Sequence, residues 1–345
     1  MYISRYEMKD LEKIEYELLS PSDKLLQDMA KIKGDILLLG IGGKMGPSMG
    51  KLARRAVEEA GLNKRIIGVS RFSDGSLRHE LESHGIKTIA ADLLNEDELR
   101  KLPEVENVLY LAGNKFGTTG KEAFTWAMNA YLPGRVAEKY RDSNIVAFST
   151  GNVYPFVPVT SGGLSEEHPA SPVGEYGQSC LGRERIFQYF SQQNNTPTLI
   201  YRLNYAVDFR YGVILEIAKA VYEGREIDLR TGNVNVIWQG DANEIALRSL
   251  LHCQSPAKIL NVTGPETLSV RWVAEQFGLL FDKEPKFMHE VQPTALLSNA
   301  SEAHKLFGYP RVTIREIIDI TALWLTEGGS TFGKATHFQE REGKF

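Results

Sequence analysis

The chain has 345 residues, 42% of them hydrophobic, and its 40 Lys+Arg against 44 Asp+Glu leave a formal net charge of −4. That length suits one large domain or two fused ones with a sizeable core, and the balanced charge gives no basic face for nucleic acid or a membrane surface. Two cysteines, Cys180 and Cys253, lack close Cys or His neighbours in sequence, which fits free thiols in a reducing compartment and makes the cytoplasm the expected location.

Residues 1–33 read as a helical leader. Its first twenty residues mix acids with apolar residues, unlike a signal peptide. Pro21, Ser22 and Asp23 open a helix whose apolar positions Leu25, Leu26, Met29 and Ile32 recur at helical spacing. The segment DILLLG (35–40) is a short unbroken apolar run ending at glycine, the mark of a strand buried on both faces of a parallel sheet. Helix then alternates with strand: helix 51–60, strands 65–69, 88–90 and 107–112, helix 124–140, strand 144–149, helix 176–192 and strand 198–202. Such alternation predicts βαβ units and a doubly wound α/β sheet. Beyond about 205 the rhythm loosens, with helices near 212–223, 241–252, 269–278 and 313–326 and one buried-looking strand at 258–262. The expected organisation is a leader (1–33), a Rossmann-type nucleotide-binding domain (34–206) and a smaller α/β region, mainly for substrate (207–345). The strand at 258–262 is expected to return to the first sheet. No run approaches the roughly 20 apolar residues of a membrane span, and the seven histidines show no metal-ligand spacing.

Between the first strand and its helix lies GIGGKMG: Gly40, Gly42, Gly43, Lys44, Met45 and Gly46 surround Ile41. A diphosphate needs bare backbone N–H groups and the positive end of a helix, and side chains at the glycines would block it. The position after a strand and before a helix is the context such a motif requires, so NAD or NADP is expected there. A tight turn without ligand is the competing reading. After the second strand stand Ser70 and Arg71, with no acid to bond the adenosine ribose. Arg71 favours the extra phosphate of NADP, unless it is simply an exposed arginine. Asp92 and Leu93 end the next strand, where Asp92 meets either the adenine or the start of a helix as its cap.

The ordered set of motifs resembles the extended branch of the short-chain dehydrogenase/reductase superfamily, the group of UDP-galactose 4-epimerase and the NAD-dependent nucleotide-sugar epimerases and dehydratases. It rests on Gly40–Gly46, Asp92, Leu111-Ala112-Gly113, Asn129, the run FSTGNVY (148–154), Pro172 through Tyr176, and NVTGPE (261–266), and it covers roughly 34–327. The resemblance implies an NAD(P)-dependent enzyme acting on a small-molecule carbohydrate by reversible hydride transfer, and it suggests a homodimer. It makes Tyr176 the base, with Thr150 as hydroxyl partner and Ser149 beside it. Leu111, Ala112, Gly113 and Asn129 fall to the cofactor.

Three departures narrow this picture. The family places a lysine four residues after the tyrosine to lower its pKa from about 10, and here Cys180 stands there. Another cation has to substitute: Lys115, after the fourth strand where the resembled epimerase also has a lysine; Arg183, two helical turns beyond Tyr176; or the oxidised cofactor. Lys115 with the cofactor is the favoured pair, against a plain diphosphate contact for that lysine. Cys180 itself reads as an inert small hydrophobe before a reactive thiol. Gly151 and Asn152 stand where dehydratases carry Asp-Glu, which argues against dehydration. Asn204 arrives one residue early after Arg202, so Asn152, Asn204 and Tyr205 are assigned to a substrate that is a sugar, a sugar acid or a nucleotide sugar. Asp241 is read as a helix N-cap, and Glu166, Glu167, His168 and Glu175 as solvated loop charges. A second class of function stays open, a catalytically impaired NAD(P)-binding sensor, because the lysine is gone.

Overall fold

The computed structural model describes residues 13, 16, 19–73, 75–115, 119–334 and 336–344. Most of the leader before residue 19 lies outside these. What is described of the leader centres on helix α1 (Asp23–Lys31), capped by the Ser22 hydroxyl, which accepts the Leu25 N–H at 3.1 Å. Leu25, Met29 and Ile32 sink into the main core, so α1 is part of the domain.

Seven parallel strands form the central sheet: β1 (Ile36–Leu39), β2 (Ile66–Ser70), β3 (Lys87–Ala90), β4 (Asn107–Tyr110), β5 (Asn144–Thr150), β6 (Thr198–Leu203) and β7 (Lys258–Val262). Their order is β7-β6-β5-β4-β1-β2-β3, a doubly wound Rossmann-type sheet whose direction of winding reverses between β1 and β4. Leu39 pairs with Val69 and Tyr110, and Thr150 with Leu203. The carboxyl ends of β1, β4, β5 and β6 therefore open on the same edge. Strands β1 and β4 are buried along their whole length, as helices on both faces demand.

Helices α2 (Gly46–Glu59), α3 (Gly75–Ser83) and α4 (Glu96–Lys101) connect β1 to β4. The helix expected at 124–140 is three pieces: α5 (Glu122–Trp126), a π-helical turn (Ala127–Tyr131) and α6 (Leu132–Lys139). The extra residue in the π turn lets Asn129 point inward. Helix α7 (Gly174–Asn194) follows β5.

The C-terminal region divides between two cores. Helices α8 (Val213–Glu223), α10 (Val270–Phe281) and α12 (Ile314–Thr326) pack around Phe209 and Trp238. In contrast, α9 (Gln239–Arg248), β7 and α11 (Ser301–Phe307) bury Ala246, Leu260 and Phe307 in the first core. The tail folds back over the molecule: Phe338 enters the second core, and Gly343 lies so close to Gly174 that a Cβ on Gly174 would stand 2.5 Å from the Gly343 carbonyl oxygen. No described helix is long and apolar enough to cross a membrane, and among the described residues no cluster of His, Cys, Asp and Glu could hold a metal.

Candidate active site

The glycine loop is shaped by what lies under it. Gly40 has φ +91°, and a Cβ there would stand 2.8 Å from the Ala112 backbone nitrogen. A Cβ on Gly42 would strike the Ser70 hydroxyl, and one on Gly46 the Ile41 carbonyl. Gly43 differs: its nearest neighbour would be the Gly40 carbonyl at 3.4 Å, an ordinary contact. Packing requires the other three, while Gly43 looks into open space. Helix α2 starts beyond it with Pro47 in its first turn and no side-chain cap from Met45. An uncapped helix start beneath a bare loop fits the diphosphate of a dinucleotide.

On the adenosine side, Arg71 is exposed after β2 and Leu93 is buried. Asp92 caps no helix. Its carboxylate accepts the Leu94 N–H at 3.0 Å and shapes the turn, while the Asn95 side chain caps α4 by accepting from Asp97 and Glu98.

A cleft of about 430 Å³ opens at the strand ends between the glycine loop, β5, α7 and the C-terminal region. Tyr176, in the first turn of α7, meets Thr150 at the end of β5: their hydroxyls hydrogen-bond, and the Cys180 thiol also touches the phenol. Thr150 accepts the Asn152 N–H at 3.1 Å and lies 3.1 Å from Asn152 Oδ1, and its bond to the phenol favours the ionised tyrosine. Burial, followed by Cys180, raises the Tyr176 pKa, and the Arg183 guanidinium opposes them. Burial raises the Cys180 pKa as well, so its thiol stays neutral among Val153, Tyr154 and Leu296.

Arg183 is built in tightly. It donates to the Phe148 carbonyl at 2.8 Å and to Asn129 Oδ1 at 2.7 Å. A Cβ on Gly113 would come 2.5 Å from its guanidinium, which explains the glycine after Leu111 and Ala112. Asn129 also accepts the Asn114 N–H at 2.8 Å and donates to Ser179 at 3.0 Å, so the π turn, the β4 loop and α7 share one amide. Ser149 turns the other way. Its hydroxyl donates at 2.5 Å to Glu184, which is paired in the interior with Arg202 at 2.6 Å.

Lys115 Nζ lies 5.7 Å from the Tyr176 ring centroid, and burial lowers its pKa to about 8. Lys44 reaches across from the glycine loop to the face of Tyr211, 3.4 Å from its centroid. Burial, then the charge of Lys115, lowers Lys44 to about 7. Of the residues assigned to substrate, Asn152 lines the cleft beside Thr150. Asn204 also reaches it, but its amide donates to Asn235 at 2.6 Å. Tyr205 holds a left-handed backbone, φ 42°, at the cleft wall.

Asp241 is no N-cap: it sits inside the first turn of α9 and accepts the Val312 N–H at 3.0 Å. Burial raises its pKa to about 6. Glu166 and Glu175 are engaged too, by the Asn261 N–H at 2.7 Å and the Trp126 indole at 2.5 Å. Three residues of the site had drawn no attention in the sequence: Tyr211, Thr336 and, behind them, Glu216, whose carboxylate accepts the Thr336 hydroxyl at 2.7 Å. Only the folding of the tail and α8 over the loop brings them there, and no local pattern announces that.

A seven-stranded parallel sheet with a glycine loop beside its switch point defines a Rossmann-type dinucleotide-binding protein. Residues 36–260 match the model of the NAD dependent epimerase/dehydratase family, so the chain belongs to that family of enzymes. No curated protein matches it in sequence. Among solved structures it is similar to a UDP-glucuronic acid 4-epimerase from Bacillus cereus in complex with a fluorinated UDP-glucuronic acid and NAD (TM-score 0.71, 17% identity, 85% of this chain and 99% of that one). A dTDP-glucose 4,6-dehydratase from Bacillus anthracis in complex with NAD gives TM-score 0.71 at 16% identity, over 86% and 97% of the two chains. A UDP-Glc/GlcNAc 4-epimerase from Campylobacter jejuni gives 0.70 at 19%, over 86% and 100%.

Proposed function

We propose that the cleft holds NADP or NAD and reversibly oxidises a carbohydrate hydroxyl, in an epimerisation or a net oxidoreduction rather than a dehydration. The observation that carries this is the meeting of Tyr176, Thr150 and Arg183 beside the glycine loop. Gly40–Gly46 and the start of α2 would hold the diphosphate, and Arg71 supports NADP. The bound nicotinamide would supply the hydride acceptor and, when oxidised, a positive ring charge.

Tyr176 takes the proton of the substrate hydroxyl, and Thr150 orients the reacting oxygens by donating a hydrogen bond. Arg183 supplies a fixed positive charge in place of the lysine that Cys180 displaces. Gly151 and Asn152 have no group able to eliminate water at neutral pH, which weighs against dehydration.

Three observations support this reading: the family, the bare loop over an uncapped helix, and the NAD bound in the similar structures. The test is a panel of free and nucleotide-linked sugars, followed by nicotinamide absorbance and by sugar analysis for epimers. Hydride transfer that disappears in Tyr176→Phe is expected. The ratio of NADPH to NADH affinity tests the Arg71 assignment. A second reading, a cofactor sensor without turnover, is favoured by the raised Tyr176 pKa, and it replaces the first if cofactor binds and no sugar reacts.

A further inference from the structure

We propose that the tail, residues 336–344, is a working part of the active site: Thr336 closes the substrate side of the cleft, and Gly343 sets the start of α7 and so the placement of Tyr176. This rests on the hydride-transfer reading of the cleft and adds positioning residues to it. The near end is held at the cleft wall. Thr336 is buried among the lining residues, and its backbone N–H and hydroxyl both donate to the Glu216 carboxylate. Glu216 stands in the first turn of α8, just beyond Gly212 and Val213, which line the same cleft. Its charge also opposes the effect of burial on Lys44 and Lys115, so the tail is tied to the carboxylate that steadies both cleft lysines.

The far end reaches α7. Gly343 and Gly174 both have left-handed backbones, φ +76° and +75°, and a Cβ on Gly343 would stand 2.6 Å from the Gly174 Cα and from the Val173 carbonyl oxygen. Helix α7 starts at Gly174 without a side-chain cap from Val173, and Tyr176 lies in that first turn. The packed backbone of Gly343 thus bears directly on the turn that carries the phenol. Between the two ends Phe338 fills the second core. Arg341 donates to the Thr294 carbonyl at 2.9 Å and to its hydroxyl at 2.6 Å, and lies over Phe156, 4.2 Å from the ring centroid. Its charge also opposes the effect of burial on Tyr205 of the cleft wall. An irregular segment loses conformational entropy when it is ordered, and here the anchors at both ends fall on helices that line the cleft.

The test compares full-length wild type with Gly343→Val, Thr336→Val and Thr336→Ser, by amide hydrogen exchange and by oxidation of D-glucose, D-galactose and their UDP-linked forms. Gly343→Val is expected to speed exchange about tenfold at residues 174–178 and to lower kcat about tenfold, with KM changed by less than about threefold. Thr336→Val is expected to do the reverse, raising KM about tenfold and leaving kcat within about threefold. Thr336→Ser keeps the hydroxyl for Glu216 and is expected to restore KM. Should Gly343→Val not fold, Arg341→Met, which removes the Thr294 bonds without adding volume, is read in its place with the same expectations. A tail that only stabilises the fold would lower the melting temperature and leave kcat and KM per folded molecule unchanged. That result overturns the proposal, as does unchanged exchange at 174–178. Turnover indifferent to both ends of the tail sinks the proposal and leaves the hydride-transfer reading standing. Exchange at 174–178 that responds to Gly343→Val, in a protein that oxidises none of the sugars, supports the tail's hold on α7 and removes that reading.

Discussion

At the β1–α2 crossover the site is defined by atoms that are missing. Gly40, Gly42 and Gly46 sit where a methyl group would strike Ala112, Ser70 or Ile41, and the helix beyond them starts without a side-chain cap. At the β5–α7 flank the site is defined by atoms that are present and paired: Tyr176 with Thr150, Arg183 with Asn129, Ser149 with Glu184. At those three glycines the first region tolerates no added volume, and the second region tolerates no lost partner. Binding of the cofactor and chemistry on the sugar should therefore fail separately when each region is altered.

The largest expected effect lies at the flank. Tyr176→Phe keeps the ring and removes the proposed proton carrier, so turnover should fall about a thousandfold. Cofactor affinity, read by quenching of protein fluorescence, should change by less than about threefold, because the loop does the holding. Loss of both together would mean that the two regions are one.

Next comes the fold beneath the flank. Glu184 and Arg202 have side chains 0% and 3% exposed, and Glu184→Ala leaves an uncompensated interior cation at a cost of about 3–5 kcal/mol. Urea unfolding should show that loss. The rate per folded molecule should drop by less than about tenfold, since Glu184 bonds Ser149 and the tyrosine's partner is Thr150. A rate loss as large as that of Tyr176→Phe would put Ser149 into the chemistry.

The two regions also differ in how far the sequence revealed them. The loop could be read from seven consecutive residues, because bare backbone is a local property, and the strands were visible because burial on both faces forces apolar runs. Helices α3, α4 and α11 were not foreseen: at nine, six and seven residues, they are too short for a strong 3.6-residue pattern, and α4 buries only Leu99. At the flank, Tyr176, Thr150 and Cys180 could be recognised, but the division of labour between Ser149 and Thr150 depended on Glu184, 35 residues beyond Ser149. Asp241 was misread because its partners, Arg311 and Val312, lie about 70 residues away.

The missing lysine sets a pH signature for the flank. In the proposed reaction Tyr176 must be deprotonated to accept a proton, and burial and Cys180 hold its pKa above the usual tyrosine range. Below that pKa the reactive fraction falls about tenfold per pH unit. Sugar oxidation should then climb steadily from pH 7 to 9 without a plateau, while reduction, in which Tyr176 donates, stays nearly flat. Cys180→Lys should bring the plateau of the oxidative profile to lower pH. A plateau near neutrality in the unaltered enzyme would mean that Arg183 and the oxidised cofactor already replace the lysine in full.

The smallest effect is the sharpest test of the loop. Gly43 is the one glycine of the four whose Cβ would meet nothing closer than 3.4 Å, so Gly43→Ala should leave the melting temperature almost unchanged. Its methyl group would project into the space above α2's first turn, and cofactor affinity should fall about tenfold, roughly the cost of holding a phosphate off good hydrogen-bond distance. Gly46→Ala cannot make this distinction, because its collision with the Ile41 carbonyl damages fold and binding together. If Gly43→Ala binds NADPH and NADH as wild type does, the room above the loop is not where the diphosphate lies.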